Sequence, residues 1–450
     1  VFPARTMNPP TPPPPAPLPL RLFRSLVILT LTLAWMAIAA LGYVGAVFSA
    51  VETYFKDAGK PPGAVLVTLG AVVLLTPLAL AIWAGRRRWL KWPGLALGWL
   101  ATGSILAWLA WDDPVVRRPL SIDEVAPVFD GAERSYAVIM EYGKQHPTEE
   151  AKAFSSYKPK VQFAGANIAE PEKWVEFITK NRAALEADWA AVAPQRAWLD
   201  RLNTFDRLGD LTPADFAADI PRFDVWRLLS QRTCAIASLQ ALDGRGDEAV
   251  ATLLPMLEVG RKFETSSRTL VRLMIARVVQ KLCCQTAGFI LDRAQPGAAA
   301  RARLLAALDG GNGPAGARRI VLIEYAHFMP TLAKLSLTDA ATAVDLGSPG
   351  RLPRALNLFT RLAFNPRATA NLYGDYAYEL AALAETRDYG GFAVRQAAFI
   401  EASFQKGGMK NLGGRLILNM AIPAYQKVVK TYWDIEDLRL ALLVRLKPAA

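Results

Sequence analysis

Between Arg24 and Glu52, between Lys60 and Arg86, and between Lys91 and Asp112 the chain carries no charged residue. Each run is built mainly of Leu, Val, Ala and aromatic side chains. A helix rises about 1.5 Å per residue and the hydrocarbon core of a bilayer is about 30 Å thick, so about twenty apolar residues cross it. The pattern predicts three membrane spans within residues 26–111. Trp83, Trp89 and Trp92 gather near one proposed interface, and Tyr54, Phe55, Trp108 and Trp111 near the other, where amphipathic rings prefer to sit. Pro77 falls inside the second run, where it kinks the helix rather than ending it.

Beyond Trp111 apolar residues recur three and four apart, the helical period. One predicted helix runs through Tyr136, Ile139, Met140 and Gly143. Another spans Pro171 to Val192, with Trp174, Phe177, Ile178, Leu185 and Trp189 on one side and Glu172, Lys173, Glu176, Lys180 and Arg182 opposite. A short helix through Trp198, Leu199, Leu202 and Phe205 follows, then a start signal at Thr212-Pro213-Ala214-Asp215. The best-organised stretch holds a helix over Asp224–Leu242, a second opened by Asp247 as N-cap, and a third from about Ser267 to Asp292. Further helices are predicted at 298–309, 318–334, 354–362, 372–385 and 392–404. A last one is opened by Asp434 and carries Ile435, Leu438, Leu442 and Leu446 on one side, with Glu436 and Asp437 early and Arg445 and Lys447 late, complementing its dipole. No run alternates apolar and polar residues between turns. The expected fold class is therefore all-α: three transmembrane helices followed by a large helical extracytoplasmic domain. Its expected parts are a Pro-rich cytoplasmic tail (1–25), the anchor (26–111), a juxtamembrane linker (112–129) and two helical parts (130–309 and 310–450) divided at the Gly310–Gly316 break.

Leu239 to Leu257 comprises a Leu/Ala helix, the turn Gly244-Arg245-Gly246, and Asp247-Glu248-Ala249 opening a partner helix. This stretch resembles one helical hairpin of the tetratricopeptide kind. The resemblance implies an antiparallel helix pair within an α-helical domain, with a concave surface for a protein partner.

Charge sets the expected orientation. Arg5, Arg21 and Arg24 precede the first span, and Arg86, Arg87, Arg88 and Lys91 fill the second loop, whereas Glu52, Lys56, Asp57 and Lys60 of the first loop cancel. Basic flanks stay cytoplasmic, so the N-terminus is read as inside a cytoplasmic (inner) membrane and the domain after Trp111 as outside, periplasmic in a bacterium. Asp112 and Asp113 separate Arg117 and Arg118 from the bilayer. A rival reading makes the first run a cleaved signal peptide, with Val44 and Ala46 as a small-residue site, and leaves the later spans in place. The net charge of +12 belongs largely to the cytoplasmic flanks. What remains is mild and unclustered, which argues against nucleic acid as a partner.

Chemistry is sparse. Three cysteines, Cys234, Cys283 and Cys284, are too few for a disulfide framework or a zinc site; they read either as buried thiols or, in an oxidising compartment, as one bridge plus a free thiol. Gly311-Asn312-Gly313-Pro314-Ala315-Gly316 has the spelling of a dinucleotide loop but follows a helix rather than a strand, so it reads as an interhelical turn. Glu324 and His327 have the spacing of a bundle metal pair, yet the chain holds 2 histidines in all, and no cofactor or metal is expected. No nucleophile motif accompanies either histidine. The densest polar and aromatic cluster gives the candidate ligand residues Asn371, Tyr373, Asp375, Tyr376 and Glu379, lining a pocket for a sugar or peptide or else a helix packing edge. Gly94 and Gly98 allow close approach of the third span to another helix. The expected function is a membrane-anchored helical binding or scaffolding protein whose partners are the lipid bilayer and another protein. A carboxylate-based hydrolase and an accessory subunit of a transport or secretion complex stand as alternatives.

Overall fold

Beyond residue 111 every element among the described residues is an α-helix, and none is a strand. The computed structural model describes residues 111–450 apart from 144–147, 150–151, 153–156, 164–165, 215–221, 335–363, 405–409, 412–413, 416, 419–424 and 448–450, together with isolated positions between 27 and 110. Apart from those positions, the three predicted spans lie outside the described residues, as do the helix expected at 354–362 and the body of the one signalled by Thr212. The chain groups into one unit of Val1–Trp111, Arg361–Ala363 and Gly407–Leu412, and a second of Asp112–Thr360, Phe364–Lys406 and Gly413–Ala450.

The second unit opens with α1 (Ile122–Val125), a single turn closed by a capping box. The Ser121 hydroxyl accepts the Glu124 N–H at 3.2 Å, and the Glu124 carboxylate accepts the Ser121 N–H at 3.0 Å. After α2 (Ala132–Met140), the single helix predicted over 171–192 is broken into α3 (Pro171–Lys180) and α4 (Arg182–Ala191). The break falls at Asn181, whose Nδ2 donates to the Phe177 carbonyl at 2.8 Å and competes with the helix ladder there. α5 (Ala193–Asn203) follows with Pro194 in its first turn, where a missing N–H costs nothing.

α6 (Phe223–Leu242) and α7 (Gly246–Ser266) form a hairpin whose turn uses Gly244 at φ 77°, a backbone state that favours glycine. Asp247 is not the N-cap: α7 has begun by Gly246, and the Asp247 carboxylate instead accepts the Gly297 N–H at 2.7 Å. α8 (Leu270–Arg293) starts after the predicted Ser267, because the Thr269 hydroxyl caps it by accepting the Arg272 N–H at 3.3 Å. Then come α9 (Ala298–Leu308), α10 (Gly313–Lys334), α11 (Pro366–Thr386), α12 (Tyr389–Phe404) and α13 (Tyr425–Leu446). α13 starts at Tyr425, so Asp434, predicted as its opening residue, lies in its interior.

Two apolar cores result. The first gathers Trp198, Trp226, Phe263, Cys283 and Ile290 with Leu442 and Leu446 of α13. Its aromatic column runs from Tyr142 to Trp198 (4.8 Å between centroids), on to Trp226 (4.8 Å) and Phe263 (4.5 Å). The second gathers Tyr325, Phe328, Tyr373, Tyr376 and Phe399 with Leu270 and Leu273 of α8 and Tyr432 and Trp433 of α13. α8 and α13 therefore serve both. Among the described residues α8 is the helix long and apolar enough to cross a membrane, with a mean hydropathy of 1.2 over its best window, of which 61% is buried. The same helix buries Arg272, Arg277 and Gln280, and packs on α6, α7 and α13, so its apolarity is that of a core helix. Cys234, Cys283 and Cys284 are unbridged and buried.

Where the two cores meet, buried charges of opposite sign are paired. Arg277 Nη1 lies 3.0 Å from a Glu264 oxygen and 2.9 Å from a Glu436 oxygen, while its Nη2 donates to the Tyr432 carbonyl at 2.8 Å. Its guanidinium also lies 4.1 Å from the Tyr432 ring centroid. Gln280 (2.7 Å) and Asn312 (3.0 Å) complete the donors on Glu264, and Arg439 (2.9 Å) joins Glu436. This network holds α7, α8, α10 and α13 in one register.

Candidate functional site

Asn371, Tyr373, Asp375, Tyr376 and Glu379 all lie on α11, but a helix turns about 100° per residue and points Tyr373 and Tyr376 away from Asn371 and Asp375. Asn371, 2% exposed, clasps the segment that leads into the domain. Its Oδ1 accepts the Arg117 N–H at 2.7 Å, and its Nδ2 donates to Asp113 Oδ2 at 2.6 Å and to the Val115 carbonyl at 3.0 Å. Asp375 pairs with Arg117 (2.8 Å) and Arg118 (3.1 Å) on the same face. The Asp112 carboxylate accepts the N–H groups of Arg367 (3.0 Å) and Ala368 (2.9 Å), satisfying donors in the first turn of α11. Residues 112–118 are thus a strap tied to this helix. Tyr373 and Tyr376 turn inward, the first sharing a 2.8 Å hydrogen bond with the Tyr425 hydroxyl and the second lying 4.2 Å from the Phe399 ring. Glu379 pairs with Arg395 of α12. The five do not converge on one cavity.

Glu324 and His327 stand on α10. The Glu324 carboxylate, partly buried, accepts the Leu270 N–H at the start of α8, and loss of solvent pushes its pKa up to about 7 despite that bond. Among the described residues no group of His, Cys, Asp and Glu is arranged to hold a metal ion. Gly311 and Asn312 lie in the corner between α9 and α10, and Gly313–Gly316 already forms the first turn of α10.

A concavity among the described residues lies elsewhere, between α4, α5, α6 and α7. It is an open groove of about 450 Å³, within the size range of ligand sites. Trp189 of α4 and Arg196, Leu199 and Asp200 of α5 form one wall; Thr233 and Gln240 of α6 and Glu248, Ala251, Thr252 and Pro255 of α7 form the other. The Arg196 guanidinium lies over the Trp189 ring at 4.4 Å. The C-terminus of α5 is fastened to α7 by Asn203, whose Nδ2 donates to the Pro255 carbonyl at 2.9 Å and whose carbonyl accepts from Lys262 at 3.1 Å.

Three groove side chains hold a buried polar atom without a hydrogen-bond partner: Arg196 Nε, Thr233 Oγ1 and Gln240 Oε1. Pro255 adds a backbone acceptor. It sits inside α7 and has no N–H for the Ala251 carbonyl four residues back, and both residues line the groove. Native interiors leave few polar atoms unpaired, and these three make the concavity a candidate place for an occupant, although similar atoms such as Arg232 Nε, Arg268 Nε and Arg277 Nε lie outside it. Nothing in the spacing of these residues announces the groove, since they come from four helices; the interior Pro255 of α7 is the one signal in the sequence. No family model, no curated protein and no solved structure matches this chain.

Proposed function

We propose that this chain is a membrane-anchored helical binding protein, with three spans within residues 26–111, its N-terminus inside, and the helical unit presented on the far side of the cytoplasmic membrane. The observation that carries the binding role is the groove between α4–α5 and the α6–α7 hairpin, where unsatisfied polar atoms from three side chains line one concavity. The hairpin that resembles a tetratricopeptide unit supplies one wall, which suits a role in presenting a concave surface to a protein.

Purification of the full chain in mild detergent, compared with Ala251→Trp, tests this. Ala251 is exposed at the groove, so the indole fills the space without entering the core. A partner recovered with the native chain and lost with Ala251→Trp, at equal melting temperature, supports the groove as the binding surface; equal recovery sinks it. Orientation is tested by an impermeant maleimide on intact cells, which should label Lys158→Cys, at an exposed position, and spare Arg87→Cys. The opposite labelling overturns the topology.

A further inference from the structure

We infer that Cys234 and Cys283 close a disulfide that staples α6 to α8, with Cys284 left as a free thiol; the inference rests on the placement of the helical unit outside the cytoplasm proposed above. An oxidising compartment is where such bridges form and persist. The spacing of the three cysteines leaves open which member of the adjacent pair meets Cys234. Helix geometry decides it, because neighbouring residues of α8 point about 100° apart. Cys283 turns toward α6, where its thiol and that of Cys234 are hydrogen-bonded. Cys284 faces the ion network instead, and Arg277, Arg439 and Glu436 act on its sulfur more strongly than Cys234 does. α6 and α8 pack together, and both thiols of the proposed bridge lie in one apolar core, Cys234 2% exposed and Cys283 0%. A disulfide needs β-carbons about 3.5–4.5 Å apart, and two thiols in hydrogen-bonding contact on packed helices stand close to that requirement.

The hydrogen bond with Cys234 and burial hold the Cys283 thiol well above its ordinary range, so the closed fold offers no thiolate to an oxidant. The bridge forms while the helices assemble. One cysteine thiolate attacks the disulfide of a thiol-disulfide oxidoreductase and displaces one of its sulfurs; the other cysteine attacks the mixed disulfide, forms the Cys234–Cys283 bond and displaces the second. The oxidant takes the two electrons and the two cysteine protons, and leaves as a dithiol. Packing then seals the bond in the core. The loop it closes contains all of α7, so the bridge restricts the unfolded chain and fixes the hairpin against α8.

The test precipitates cells with acid, dissolves the full chain in denaturant with N-ethylmaleimide and no reductant, and maps the thiols by mass spectrometry. Cys284 alone should be modified, and Cys234 and Cys283 should be recovered as a linked peptide pair that reductant separates. Cys284→Ala should keep the bridge and Cys283→Ala should abolish it. Dithiothreitol should lower the melting temperature of the native chain in micelles by about 5 °C and leave that of Cys283→Ala unchanged. Modification of all three cysteines, or a bridge through Cys284, overturns the inference. Labelling of Lys158→Cys from outside reports the topology separately. If it labels while all three native cysteines are free, the bridge falls and the topology stands; a bridge found while Arg87→Cys labels instead supports the pairing and removes the topology.

Discussion

Arg277→Met is the substitution whose consequence the structure defines most sharply. The guanidinium is 1% exposed and stands between two buried carboxylates at 3.0 and 2.9 Å, those of Glu264 and Glu436. Methionine retains most of the aliphatic stem and removes the charge. Glu436 keeps Arg439 at 2.9 Å, whereas Glu264 keeps only the neutral donors Gln280 and Asn312. One uncompensated buried carboxylate puts the loss near the lower end of the range of about 3–5 kcal/mol for a broken buried pair. That is a large part of the roughly 5–15 kcal/mol that holds a typical domain together. Burial by itself would raise the Glu264 pKa, but the Arg277 charge and the hydrogen bonds from Gln280, Asn312 and Arg277 outweigh it and hold the carboxyl below its ordinary value. A carboxyl depressed in the folded state contributes stability above its unfolded pKa, near about 4.3, and that contribution is lost as pH falls through the folded value. The deficit of Arg277→Met should therefore be large at neutral pH, where Glu264 would be left charged beside fewer partners, and shrink under acid. Urea unfolding of the full chain in micelles, read by pulse proteolysis at pH 7 and pH 4, measures it. Adding Glu264→Gln should restore most of the loss. A deficit under about 1 kcal/mol at pH 7, or no recovery in the double variant, would refute the account.

Glu324 has the opposite sign. Its pKa is raised to about 7 in the folded state, so stability from this group is fully present below the ordinary carboxylate value and falls as pH rises to about 7. Glu324→Gln still accepts the Leu270 N–H, and should exceed the native chain by about 1–3 kcal/mol at pH 8, less than the full shift because the carboxyl is partly exposed. Thermal melts between pH 5 and pH 8.5 check this, and parallel curves would contradict it. Asp112→Ala removes the acceptor for the first turn of α11 and should cost about 1 kcal/mol. It should also quicken tryptic cleavage of the Arg117–Arg118 bond, and an unchanged cleavage rate would contradict the strap.

The helical class was legible because residues such as Trp174, Ile178 and Leu185, or Leu438 and Leu442, repeat at the period of a buried helix face. Boundaries were less so, since a capping residue reads the same whether it caps its own helix or a distant one. Asp247 serves the Gly297 amide and Asp434 sits mid-helix, while Asp112 caps a helix far away in the chain. The density of polar and aromatic residues around Asn371 marked a helix that is heavily used, not a shared pocket. Helix geometry alone separates Asn371 and Asp375 from Tyr373 and Tyr376. The groove required tertiary structure: Trp189, Arg196, Thr233, Gln240 and Ala251 look in sequence like the outer faces of four unrelated amphipathic helices. The apolar runs of 26–111 are the reverse case, where composition alone carries the reading.

Because Leu442 and Leu446 complete one apolar interior and Tyr432 and Trp433 the other, both wait on the same late helix. Translation at about 5–20 residues per second exposes the earlier helices with an open apolar seam for many seconds before that helix leaves the ribosome. The order of the helices therefore leaves both interiors open on one side until the residues of that late helix arrive.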